Sequence, residues 1–109
     1  MSNLLTQKCR DLPADTPPLG AAEIAALLRM TPGWTHADGV ISKTYGFKNY
    51  YETMAFVNGV ALIAHREDHH PDMVVSYNRC RVAYNTHSIG GISMNDFICA
   101  AKLEALASI

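Results

Sequence analysis

Apolar residues recur along this chain first at helical spacing and then at alternate positions, and that order repeats. Ile24, Leu27 and Leu28 fall at i, i+3 and i+4, the signature of one face of a short helix. Gly20 ahead of them is an acceptable N-cap with Glu23 at the third helical position, and Thr31-Pro32-Gly33 ends the helix after about Arg29. Residues 34–37 and 40–47 flank Asp38-Gly39, a dipeptide suited to the positive φ angles of a tight hairpin turn. Ile41, Tyr45 and Phe47 share one strand face, which Lys43 interrupts by reaching toward an edge.

A longer helix is predicted from Asn49, because Asn49 and Glu52 form a capping-box pattern in which Glu52 reaches back toward the N-cap amide. Tyr50, Met54, Val57, Ala61 and Ala64 make one apolar stripe, while Phe56 and Ile63 lie nearly opposite. Such a helix is expected to be covered on two sides, by the sheet and by a neighbouring helix or a second subunit. Pro71 restricts the residue before it, so the helix should end near His70. Residues 74–77 and 81–85 read as a second hairpin turning near Asn78-Arg79, with Cys80, Val82 and Tyr84 on one face. Residues 88–92 form a loop, and Ser93 to Asp96 make a box-like cap for a last, alanine-rich helix.

The resulting order is α-β-β-α-β-β-α, and its compact solution is an α+β fold: a four-stranded antiparallel sheet with three helices packed on one face. Residues 1–18, with Pro13, Pro17 and Pro18, read as an extended N-terminal arm, and residues 19–109 as a single domain. A chain of 109 residues supports one modest core.

Composition narrows the function classes. Charged residues make up 17% and hydrophobic ones 49%, which argues against disorder and suggests apolar surface covered by another subunit, as a homodimer or homotetramer. A net charge of -1 gives no attraction to nucleic acid or to an anionic membrane. No signal-peptide core or membrane-length apolar run is present. Cys9, Cys80 and Cys99 are odd in number without CxxC spacing, so neither a disulfide framework nor a thiolate metal site is expected. A cytoplasmic, reducing setting fits this pattern.

The chemistry concentrates in His69, His70 and His87, which fall within nineteen residues. Histidine exchanges protons near neutral pH, so acid/base catalysis is the first expectation. Adjacent side chains diverge by about 100° on a helix, so His69 and His70 should flank a site rather than stack in it. A helix C-terminus would stabilise the imidazolium of either one. His65 and His69, spaced i, i+4, could instead join His87 around a zinc ion for hydrolytic chemistry, although no HExxH glutamate accompanies them. Asp96 reads first as a helix-capping carboxylate and second as a group that fixes the tautomer of a nearby histidine. Tyr77, alternating with Val75, reads as core or interface, Asp68 as a helix-end or substrate contact, and His36 as exposed and idle.

The set His65, His69-His70-Pro71, Tyr77, His87 and Asp96 resembles the pattern of the pterin-4a-carbinolamine dehydratases. In animals that family is also known as dimerisation cofactors of a homeodomain transcription factor. Pro32-Gly33-Trp34, Phe47-Lys48-Asn49 and Tyr77-Asn78-Arg79 extend the resemblance over residues 17–107. It implies an α+β fold and dehydration of 4a-hydroxytetrahydropterin to quinonoid dihydropterin in tetrahydropterin recycling, with no metal or organic cofactor. His69, His70 and His87 would be catalytic, with His70 and His87 exchanging protons and His69 positioning the pterin or protonating its other face. Asp68, Asn85, Thr86 and Ser88 would line the pterin. His65 departs from the acidic residue frequent at its position, and Met73 from a frequent aromatic. A non-enzymatic binding or dimerisation module on the same fold is the alternative from another class.

Overall fold

The computed structural model describes residues 3–108. A short 3-10 turn at Leu4–Thr6 precedes α1 (Ala21–Leu28), β1 (Thr35–Ala37), β2 (Val40–Gly46), α2 (Tyr50–Glu67), β3 (Asp72–Val75), β4 (Arg79–Tyr84), a second 3-10 turn at His87–Ile89, and α3 (Met94–Ala107). The strands form one antiparallel sheet in the order β1-β2-β4-β3. The α+β class and the order of elements agree with the sequence reading.

Local chemistry explains most of the boundaries. Gly20 donates its N–H to Glu23 Oε1 at 3.1 Å, the half of a capping box that a glycine can make. Asp38 and Gly39 take φ values of 54° and 78°, both positive as a two-residue hairpin turn requires. At the start of α2 the Asn49 side chain accepts from the Glu52 amide, but Glu52 Oε1 takes the N–H of Lys48 rather than that of Asn49.

Ile41, Tyr45, Cys80, Val82 and Tyr84 line the covered face of the sheet, against Phe56 and Val60 of α2 and Phe97, Ile98, Ala100 and Leu103 of α3. Trp34 closes one end, its ring 6.4 Å from Tyr45 and 6.3 Å from Tyr84. Gly59 allows α2 and α3 to approach, since a Cβ there would come within 2.7 Å of Leu106 Cδ2. Lys43 escapes the apolar face by crossing the Tyr45 ring to pair with Glu104 on α3 at 2.8 Å.

The structure departs from the sequence reading in three places. The inward face of α2 is centred on Thr53, Phe56 and Val60, whereas Tyr50 and Ala61 of the expected stripe are exposed. The second hairpin lies two residues earlier than expected: β3 begins at Asp72, directly after Pro71, and Ser76 N–H closes the turn onto Arg79 O. Tyr77 therefore sits in that turn, 64% exposed, and belongs to no core. Finally, α2 stops at Glu67, three residues before His70, because Asp68 adopts the left-handed conformation.

The N-terminal segment is fastened to the helices at several points. Leu4 is buried, Cys9 N–H donates to Glu67 Oε1 at 2.9 Å, and Arg10 exchanges two hydrogen bonds with the Asn95 side chain.

Candidate active site

The end of α2 builds the first wall of the site. Asp68 has φ 51° and ψ 44°, a conformation that Asp tolerates better than most residues, and the amides of Asp68 and His69 both turn back onto Ala64 O. This corner takes His69 off the helical repeat and turns it inward, its side chain 14% exposed, while the following His70 stays exposed. Pro71 is buried and leads straight into β3.

The second wall follows β4. Thr86 N–H donates to Gly91 O at 2.9 Å, and a reciprocal bond closes the loop 86–91. Inside it, the 3-10 turn at His87–Ile89 ends at Gly90, whose φ of 69° suits a glycine. His87 and Ser88 are carried on this loop and exposed.

Between the walls lies a cavity of about 410 Å³. Asp68, His69, His70, Asn85, Thr86, His87 and Ser88 all line it, so seven of the residues singled out in the sequence meet in one place. Asp72 and Ala83 complete the lining. They are cross-strand partners in the β3–β4 pairing, so the correct hairpin register is the signal that finds them.

Asp96 is fully buried behind the cavity and receives three hydrogen bonds. Its Oδ1 lies 2.6 Å from His69 Nε2, and its Oδ2 accepts from Thr86 Oγ1 and from Ser93 N–H, both at 2.9 Å. Because the Thr86 hydroxyl donates to Asp96, it must accept in its 2.6 Å contact with Ser93 Oγ, and Ser93 in turn accepts from Asn95 N–H. Every donor in this chain points toward the carboxylate. A carboxylate accepting from His69 assigns the proton of that contact to Nε2, which leaves Nδ1 as the nitrogen available to a ligand.

Burial alone would push the His69 imidazolium toward neutrality, but the Asp96 hydrogen bond and charge outweigh it and raise the pKa above 6.5. The His69 ring also stacks on Tyr84, with centroids 5.3 Å apart and planes inclined by 24°. Thr86 spends its amide on Gly91 and its hydroxyl on Asp96, so what it offers the cavity is mainly the position of that carboxylate. Sequence reasoning missed Ser93 and Tyr84 in these supporting roles, although the capping pattern at Ser93 was visible.

The i, i+4 pair on which a zinc site would depend is not formed. His65 lies exposed on α2, and the left-handed Asp68 carries His69 away from its face. Among the described residues, no group of three or more His, Cys, Asp or Glu side chains is arranged to hold a metal ion. Nor is any helix among them long and apolar enough to cross a membrane.

Residues 17–106 match the sequence pattern of a family described as Pterin 4 alpha carbinolamine dehydratase. A protein of Nitrosospira multiformis named for pterin-4-alpha-carbinolamine dehydratase is 53% identical over 109 residues, covering 100% of this chain and 96% of that protein. One of the same name from Nitrosomonas eutropha is 56% identical over 95% of this chain and 93% of its own length. Among solved structures, a transcriptional coactivator/pterin dehydratase from Brucella melitensis superposes with a TM-score of 0.80 at 34% identity, covering 83% of this chain and 98% of that one. Family pattern, near-full-length relatives and fold agree: this chain belongs to the pterin-4a-carbinolamine dehydratases, and is a hydro-lyase.

Proposed function

We propose that the enzyme removes water from a 4a-hydroxytetrahydropterin to give the quinonoid dihydropterin, a step in tetrahydropterin recycling, with His69, His70 and His87 managing the protons. The observation that carries this reading is the convergence of the three histidines on one cavity of about 410 Å³, one of them gripped by a buried carboxylate. That volume lies in the range of small-molecule sites and accommodates a bicyclic ring.

In the reaction the C4a–O bond breaks, and the hydroxyl leaves as water once it has taken a proton. The neighbouring ring nitrogen supplies the electron pair for the new C=N bond and sheds its own proton. His70 and His87, exposed to the cavity, exchange these protons with substrate and solvent. His69, whose charged form Asp96 favours, positions the pterin through Nδ1 or protonates its other face. The pterin's pyrimidine edge carries an amino group and a ring N–H, donors that the Asp68 carboxylate and the Asn85 amide are suited to accept. No cofactor enters this scheme, in which acid and base together supply about 10²- to 10⁴-fold.

Absorbance decay of the 4a-carbinolamine tests the reading directly. Acceleration by the folded protein supports it, and an unchanged decay rate at high protein concentration overturns it.

A homo-oligomer is part of the same proposal. The edge strand β3 and its turn leave Val74, Val75 and Tyr77 at 65%, 40% and 64% exposure, an apolar edge of the kind that pairs with another strand. Light scattering in solution that gives the mass of a single chain would end this part of the reading.

A further inference from the structure

Cys9 and Cys99 stand 90 residues apart in sequence, yet their sulfurs are 3.6 Å from each other. Both are free thiols, Cys99 fully buried on α3 and Cys9 half-buried on the N-terminal segment that covers it. The backbone holding Cys9 in place is anchored on both sides of its sulfur. Its own N–H donates to Glu67 at the end of α2, and the next residue, Arg10, is tied in both directions to Asn95 on α3. To bond, the sulfurs must close from 3.6 Å to the ~2.05 Å of a disulfide.

We propose that Cys9 and Cys99 form a reversible oxidation site, closing to a disulfide on reaction with a hydroperoxide and so fastening the N-terminal segment to α3. The two sulfurs are unequal, as such chemistry requires. The contact with Cys9, together with the charge of His69, outweighs burial and lowers the Cys99 pKa, whereas the same contact with Cys99, burial and lastly the Glu67 carboxylate raise that of Cys9. The Cys99 thiolate attacks a peroxide oxygen, the O–O bond breaks, and the departing hydroxide takes up a proton and leaves as water. The sulfenic sulfur left on Cys99 is then attacked by Cys9, whose thiol proton leaves with the sulfenic hydroxyl as a second water. Two thiols and one peroxide thus become one disulfide and two waters. The segment that bears Cys9 lies against Cys99, so peroxide reaches the pair through local loosening at its edge.

The closed link would span most of the chain, and cross-links that close long loops restrain the unfolded state most. Its signature is therefore thermal as well as chemical. The experiment treats the full-length protein with hydrogen peroxide, quenches it, and follows free thiols, intact mass and melting temperature. Two of the three thiols should disappear while Cys80 survives. The mass should fall by two hydrogens with no oxygen added, and a non-reduced digest should join the Cys9 and Cys99 peptides. The melting temperature should rise by several degrees and return with dithiothreitol. Cys9→Ser, at the half-exposed partner, should fold normally and lose both the link and the shift. Three surviving thiols, oxygen added to single sulfurs without a cross-link, or a bond between chains would each overturn the proposal.

Discussion

His69 Nε2 lies 2.6 Å from Asp96 Oδ1, and the other oxygen of that carboxylate is held by Thr86 and by the amide of Ser93, the N-cap of α3. One buried carboxylate therefore serves as helix cap and as partner to an imidazole, and loss of it has two separable effects. Asp96→Asn retains the volume but not the charge. It should lower dehydration by about 10- to 100-fold, a part of what acid/base groups typically contribute, and move the alkaline limb of the pH–rate profile to lower pH. Steady-state rates across the pH range check both.

The same pair makes stability depend on pH. The folded protein holds the His69 proton more tightly than an unfolded chain does, so the contribution is complete below the ordinary value of 6.5 and is lost as pH rises through the raised one. Urea midpoints measured at steps across that window should fall with pH in the wild-type protein. In Asp96→Asn that part of the slope should vanish.

The three histidines should separate by stability. His70 and His87 are exposed, so His70→Ala and His87→Ala should depress dehydration while leaving the melting temperature nearly unchanged. His69→Ala strips a buried carboxylate of its partner and should cost about 3 kcal/mol of folding free energy besides activity. Calorimetry beside the carbinolamine assay distinguishes the two patterns.

Glu104 gathers Lys43, the Tyr45 hydroxyl and the Trp34 indole N–H at the opposite end of the core. Glu104→Ala leaves two largely buried aromatic donors without an acceptor and should destabilise the fold by about 1–3 kcal/mol, with Glu104→Gln recovering much of it. Burial works to raise the Glu104 pKa, but the hydrogen bonds from Lys43 and Tyr45 prevail and hold it below 4.5. Its contribution is therefore present above 4.5 and lost as pH falls through the depressed value, which an acid titration of unfolding midpoints in wild type and Glu104→Gln would reveal.

Val74 is the most exposed residue of the apolar edge on β3. A charge at Val74 should weaken strand-to-strand association with little effect on the chain's own fold, because the side chain is 65% exposed. Sedimentation of Val74→Lys beside wild type, with circular dichroism as the folding control, is the measurement.

The sequence made the elements legible where local chemistry is decisive: the Asp38-Gly39 turn, the caps at Asn49 and Ser93, and the alternation of Cys80, Val82 and Tyr84. It misled where a proline offered too simple a stop. Pro71 marked a limit for α2, but the chain turns at Asp68, whose left-handed conformation leaves no periodic trace, and the following hairpin shifted with it. The residues that line the cavity were legible as a group because most of them cluster in two short segments. Which histidine Asp96 would hold was not legible, since it depends on how α2 and α3 pack. The crossing of Lys43 to Glu104 and the approach of Cys9 to Cys99 likewise exist only in the packed chain, across separations of 61 and 90 residues.

The loop closed by Thr86 and Gly91 gives the cavity two walls of different construction. His69 and His70 are mounted on one rigid corner, braced by a helix end, a buried proline and the sheet. His87 rides on a six-residue loop closed at its base by one pair of backbone hydrogen bonds and pinned by the buried Thr86 and Ile89. The cavity thus has two jaws of different build, and under the proposed reaction substitutions in residues 86–91 should alter how a ring is held more than they alter the fold.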